Sequence, residues 1–233
     1  MAMDLINLFK IIAAIITVII AFIIGFYELS LNPDNWLNRW FFLFFISTAL
    51  GFLTYTIYHF IYTGSYSNDS EIIIPIMITA QIFFNFIPVS LMMTVLVLEK
   101  YKKVAMSLKY LGTMFALFII MNVGYFILSP TLNEEKHDDK IIDTETEPGL
   151  QIFVNLLRIV LFCYVVYKYA IITRKVEKET KRRVQWFFAG IILAIIGLFL
   201  NLIGGILTNN LFEISALIAI DIGMVLVFKG FLI

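Results

Sequence analysis

Long apolar runs, interrupted at short intervals by polar and charged residues, set the pattern of this chain. Seven runs are long enough to form a helix across a hydrocarbon core of about 30 Å, which takes roughly 20 residues. They lie near Leu5 to Tyr27, Trp40 to Tyr62, Ile72 to Leu98, Tyr110 to Leu128, Leu150 to Ile172, Val184 to Leu207 and Leu211 to Ile233. Lipid offers backbone amides no hydrogen-bond partner, so each run is expected to satisfy its own as a helix. The expected fold is all-α: a polytopic membrane protein in which residues 1–233 form a single seven-transmembrane-helix bundle.

Within that apolar background a few polar positions stand out. In the run from Leu150 to Thr173, Gln151, Asn155 and Arg158 follow i, i+4, i+7 spacing and share one helix face. At 1.5 Å per residue, Arg158 lies about 12 Å below one membrane face, where an unpartnered charge is costly. The face is expected to look into the bundle. Span three opens in a similar way: Gln81-Ile82-Phe83-Phe84-Asn85 stands against Gln151-Ile152-Phe153-Val154-Asn155, and over eleven positions five are identical. Spans four and six add Asn122 and Asn201, each with Gly124 or Gly204 close behind. The echo therefore covers two helical hairpins, as an internal duplication would. It fails where Pro88 faces Arg158, and a kink at Pro88 would free a carbonyl that the arginine could use.

Composition agrees with a membrane protein, because 61% of the 233 residues are hydrophobic and the mean hydropathy is +0.93, well above a soluble domain. Seventeen Lys and Arg balance seventeen Asp and Glu, so net charge points to no nucleic acid partner. Their placement gives orientation. Lys100, Lys102, Lys103 and Lys109 follow span three, and Arg174, Lys175, Lys178, Lys181, Arg182 and Arg183 follow span five. Both loops are expected in the cytoplasm, which puts the amino terminus outside and the carboxyl terminus inside. Lys10, Glu28 and Asp34 around span one oppose this mildly. No cleavable leader is expected, because the run Ile11 to Tyr27 is too long for one and lacks a small-residue cleavage site. The acidic connection Ser129 to Gly149 is expected to be an external, mobile loop, whose acids and His137 are also candidates to catch a divalent cation. Asn68-Asp69-Ser70 reads as a glycosylation sequon on the same side.

Asp221, about ten residues into span seven, is the expected counter-charge of Arg158, since the two differ in depth by only about 3 Å. Gln81, Asn85, Asn122, Gln151, Asn155, Asn201 and His59 all fall in the outer half or near the middle. A cavity open to the outside and closed below by an apolar, aromatic plug would account for that asymmetry. The stripe Gly190, Ala194, Gly197, Asn201 and Gly204 should pack closely, inside the bundle in preference to a homodimer seam. Lys168 and Lys229 are expected to reach the headgroups. Cys163 is expected to be a small packing residue, and as the only cysteine it excludes a disulfide within the chain. In the basic loop, Glu177 and Lys181 are spaced to pair.

HExxH, GxSxG and Walker patterns are missing, so no enzyme activity, cofactor or metal is expected. A retinal protein needs a lysine deep in the last span, and Lys229 lies four residues from the end. Residues Asn38-Arg39-Trp40-Phe41-Phe42, Gln81, Pro88, Leu98-Glu99-Lys100-Tyr101 and Val227 to Ile233 resemble the seven-span amino-terminal sensor region of prokaryotic histidine kinases. The resemblance implies a sensor with its amino terminus outside. Because the chain ends where that family continues into a transmitter domain, output is expected to pass to a separate cytoplasmic partner, through the loop at residues 173–183. Leu98-Glu99-Lys100-Tyr101 also resembles the end of span three in G-protein-coupled receptors, without their proline in span six or seven.

The functional expectation is a sensor or receptor in the cell membrane. A small ligand would enter from outside and contact Arg158, Asp221, Asn85, Asn155, Gln81 and Asn201. The alternatives are a transporter or channel that uses the Arg158 and Asp221 pair, and an assembly subunit whose polar groups only fasten helices.

Overall fold

The computed structural model describes residues 5–138, 140–174, 178–207 and 210–232. Four helices come first: α1 (Leu5–Leu31), α2 (Trp36–Tyr58), α3 (Tyr66–Ala105) and α4 (Leu108–Ile127). A small cap follows, with strands β1 (Thr131–Leu132) and β2 (Thr144–Glu145) flanking the short helix α5 (Glu134–Asp138). The chain closes with α6 (Pro148–Thr173), α7 (Lys178–Leu207) and α8 (Asn210–Leu232). Seven of these helices are long and apolar enough to cross a membrane.

Local chemistry sets where several helices begin. The Asn35 side chain accepts from the Leu37 amide at 3.0 Å and starts α2 at Trp36, four residues earlier than the apolar run suggests. Glu147 accepts from the Leu150 amide at 2.7 Å and Pro148 occupies the first turn, so α6 also starts ahead of its apolar run. Helix α3 runs 40 residues through both Pro75 and Pro88, well past the expected Ile72 to Leu98.

Six helices close a ring in the order α1, α2, α3, α6, α7, α8 and back to α1, while α4 sits outside it against α3 and α6. Because α1 and α8 are the first and last of seven alternating spans, they run parallel. Small residues draw neighbours together. A side chain on Gly190 would come within 2.4 Å of the Gly223 carbonyl oxygen, and one on Gly197 within 2.9 Å of the Ala216 carbonyl oxygen. The small-residue stripe of α7 is therefore covered by α8, as expected. Gly124 likewise lets α4 close on Leu150 of α6, where a Cβ would lie 2.3 Å from a leucine methyl. Outer faces such as Ile19 and Ile23 of α1 and Phe115 and Phe126 of α4 are exposed apolar surface suited to lipid.

The two ends of the ring differ. At the end bearing the lysine-rich connections, Trp40, Phe44, Phe45, Leu91, Met93, Phe162, Tyr169, Phe187 and Val227 form one aromatic and aliphatic core. Tyr169 and Thr94 share a buried hydrogen bond of 2.7 Å within it. At the opposite end sits the cap, which gives the acidic connection short elements and a small apolar cluster of its own. Leu132 and Ile142 bury against Tyr58, Ile73 and Met77, an apolar contribution hidden in an otherwise acidic stretch. His137, buried, meets Asp69 of α3 at 2.9 Å, and the Tyr66 hydroxyl donates to the Leu132 carbonyl at 2.8 Å. Asp69, the middle residue of the sequon, is thus a buried anchor, while Asn68 beside it is exposed.

Three single residues complete the picture. Lys168 pairs with Glu99 of α3 at 2.9 Å. Lys229 lies over the Trp186 ring, 3.9 Å from its centroid. Cys163 is exposed on the outer surface of α6 and fills no core space. The Glu177 partner expected for Lys181 lies outside the described residues.

Candidate functional site

Arg158 is buried in α6, and its guanidinium is held by three amide oxygens. Nε donates to Asn85 Oδ1 at 2.8 Å, Nη2 to Gln81 Oε1 at 2.8 Å and Nη1 to Asn155 Oδ1 at 3.2 Å. A second layer fixes those amides. Asn85 Nδ2 donates to the Met121 carbonyl at 3.0 Å and to Asn122 Oδ1 at 2.9 Å, so its oxygen has to face the arginine. The Tyr125 hydroxyl donates to Gln81 Oε1 at 3.3 Å. Gln81 and Asn85 of span three and Asn155 of span five thus converge on one side chain, with α4 contributing Asn122 and Tyr125 from behind, whereas Gln151 makes no hydrogen bond to it and stands in the cavity wall. No Pro88-freed carbonyl is among the acceptors; side-chain amides take that part.

Asp221 does not pair with Arg158. Its carboxylate accepts from the Thr17 hydroxyl of α1, in a half-buried seam between α1 and α8. Direction separates the two. Ile220, Gly223, Met224 and Val227 of α8 look into the ring interior, and Asp221 is rotated about 100° from Ile220, toward α1. Counting residues gives level along a helix and leaves rotation undetermined. Among the described residues no carboxylate lies within ion-pair distance of Arg158, so its charge is met by neutral dipoles alone.

Inside the ring is a cavity of about 1040 Å³ whose wall includes Arg158, Gln81, Gln151 and Asn201. Asn85 and Asn155 stand behind that wall, buried, and Asn122 further back still. Toward the cap the lining is charged: Lys10, Glu135, Lys136, Asp143, Glu145 and Glu213. Lys10 pairs with Glu213, and Lys136 with Asp143. Burial works against the Lys136 charge, yet the Asp143 carboxylate more than offsets it and holds the ammonium above its usual range. Just past the end of α2, burial pushes His59 down to about 4, so it is neutral near pH 7, and its Nδ1 meets the Tyr55 carbonyl at 2.8 Å. Away from the cap the lining turns apolar, through Phe44, Ile87, Phe162, Ile191, Met224 and Val227. Along α8 the wall runs from Glu213 to Val227, about 21 Å at the helical rise.

The Lys10 and Glu213 pair was not foreseen. A signal existed: Lys10 and Thr17 are seven apart on α1, Glu213 and Asp221 eight apart on α8, and each set lies along one helix face. The two polar rungs tie the parallel helices together. Among the described residues no group of three or more His, Cys, Asp or Glu is placed to hold a metal ion.

A ring of membrane-length helices around an internal cavity places the chain among polytopic membrane proteins. No protein-family model and no curated protein sequence matches it.

Proposed function

We propose that this protein is a membrane-embedded sensor that binds a small anionic ligand in the ring cavity, with Arg158 as the anchor. The observation that carries the reading is a buried arginine, set in the cavity wall, whose guanidinium is met by amide oxygens and, among the described residues, by no carboxylate. Burying a charge costs several kcal/mol, and a counter-ion is the usual relief. Three charge-assisted hydrogen bonds, at about 1.5–3 kcal/mol each, make the arginine tolerable without one and leave it able to attract an anion. Gln151 and Asn201 supply further polar contacts in the wall. The distribution of lysines and arginines supports a cap end facing outward, and the resemblance to histidine kinase sensor regions supports a signalling output at the basic end. Ligand would act by favouring one arrangement of α6, α7 and α8 over another, and that arrangement would be read at the loop of residues 173–183 by a cytoplasmic partner.

The test is thermal unfolding of the protein in lipid nanodiscs against a panel of small organic and inorganic anions. An anion-dependent rise in Tm is expected in the wild type and in Asn201→Ala at reduced size, and is expected to vanish in Arg158→Gln. A panel that leaves Tm unchanged, or shifts both proteins equally, would remove the reading.

A further inference from the structure

The cavity continues beyond its arginine, and that extension is chemically unlike the part before it. Arg158 and Ile220 each lie ten residues into their helices, α6 and α8, and from Ile220 the wall continues along α8 to Val227, about 10 Å further. Phe44, Ile87, Phe162 and Met224 complete that lower chamber, which holds no charged side chain among its lining residues. A hydrophilic anion seated on Arg158 would leave this space without a solute that suits it. Resting on the reading that Arg158 captures an anion, we infer that the ligand is a monocarboxylate amphiphile: its carboxylate meets the guanidinium and its apolar body, about 10 Å long, fills the lower chamber.

Charge at the mouth supports one negative charge and no more. Glu135, Asp143, Glu145 and Glu213 outnumber Lys10 and Lys136 around the cap end of the cavity. That ring disfavours multiply charged anions passing it, whereas a weak monoacid can pass in its neutral form and ionise beside Arg158, its proton leaving to solvent through the mouth. The polarity also sets the orientation of the guest. An apolar body directed toward the cap would lie among six acidic and basic side chains, and directed away from it would lie among aliphatic and aromatic ones, worth about 25 cal/mol per Å² of apolar surface removed from water.

Binding to the protein in nanodiscs, measured by calorimetry with octanoate, acetate, citrate and octanol, tests this assignment. Octanoate is expected to bind at least tenfold more tightly than acetate, with citrate and octanol weaker than octanoate by a similar factor, and Arg158→Gln is expected to abolish the difference between octanoate and octanol. Because Arg158→Gln can disturb folding, Ile87→Phe provides a second arm. It narrows the lower chamber and is expected to weaken octanoate at least tenfold while leaving acetate unchanged. Arg158-dependent binding of acetate or citrate with no gain from the alkyl chain overturns the amphiphile and leaves anion capture standing. Equal binding of octanol and octanoate overturns the carboxylate requirement. Absence of any Arg158-dependent binding among the four overturns both.

Discussion

Asn85 carries more than its size suggests. It is fully buried, accepts from the arginine, and donates to α4 through the Met121 carbonyl and Asn122. Replacing it by leucine keeps the branched shape and removes hydrogen bonds from three polar partners at once, each buried group left unsatisfied costing about 1–3 kcal/mol. Asn85→Leu is expected to destabilise the protein by about 3 kcal/mol or more, read as a lowered midpoint in denaturant titration in mild detergent; Asn201→Leu, at an exposed position, is expected to change it by less than about 0.5 kcal/mol. Equal midpoints would show that the amide cage carries no stability. At this scale the sequence was partly legible. Gln81, Asn85, Asn155 and Arg158 could be grouped by spacing and by the echo between spans, because helical periodicity assigns faces. Their hydrogen-bond partners could not, since an amide's direction is settled by what stands behind it.

At the level of elements, the cap shows how a stretch of acids acquires fixed structure. Asp69, in the first turn of α3, accepts from the Thr63 amide at 2.9 Å and from His137 at 2.9 Å, and so ties α3 to the α5 segment. Two aliphatic residues, Leu132 and Ile142, do the rest by burying against α2 and α3. Asp69→Ala is expected to release the cap without opening the ring. Hydrogen exchange over residues 131–145 should accelerate about tenfold or more, matching the loss of roughly 1.4 kcal/mol or more of local stability, while amides within α3, α6 and α7 keep their protection. Uniform acceleration throughout the chain would instead make Asp69 a general stability determinant. The seven long helices themselves were evident in the sequence, and their ends were less so. Asn35 and Glu147 cap helices beyond the apolar runs, and a capping residue is polar and therefore reads as loop.

For the whole molecule, the proposed sensor and the alternative of a conduit make different demands on the apolar end of the ring. A buried aromatic and aliphatic core around Trp40, Phe45, Leu91 and Met93 lies at that end, with Thr94 and Tyr169 satisfying each other inside it. A transport path would need polar groups there in some state. Vesicles reconstituted with the protein are accordingly expected to take up chloride, phosphate and citrate no faster than protein-free vesicles over minutes, as followed with labelled anions. Uptake that depends on the protein and disappears in Arg158→Gln would convert the cavity into a path and the sensor into a transporter.

By itself the sequence determined what depends on distance along the chain: seven apolar lengths, the places of Arg158 and Asp221 along their helices, the shared face of Gln151, Asn155 and Arg158, and the small-residue stripe of α7. Each follows from helical rise and periodicity. The tertiary structure decided everything that depends on rotation and neighbour order. It turned Asp221 toward Thr17 of α1, placed α4 outside the ring and left Arg158 to amides alone. Apolar helices of similar length can be arranged in many orders at similar cost in lipid, and only the sum of small-residue contacts and polar pairings across the bundle selects one.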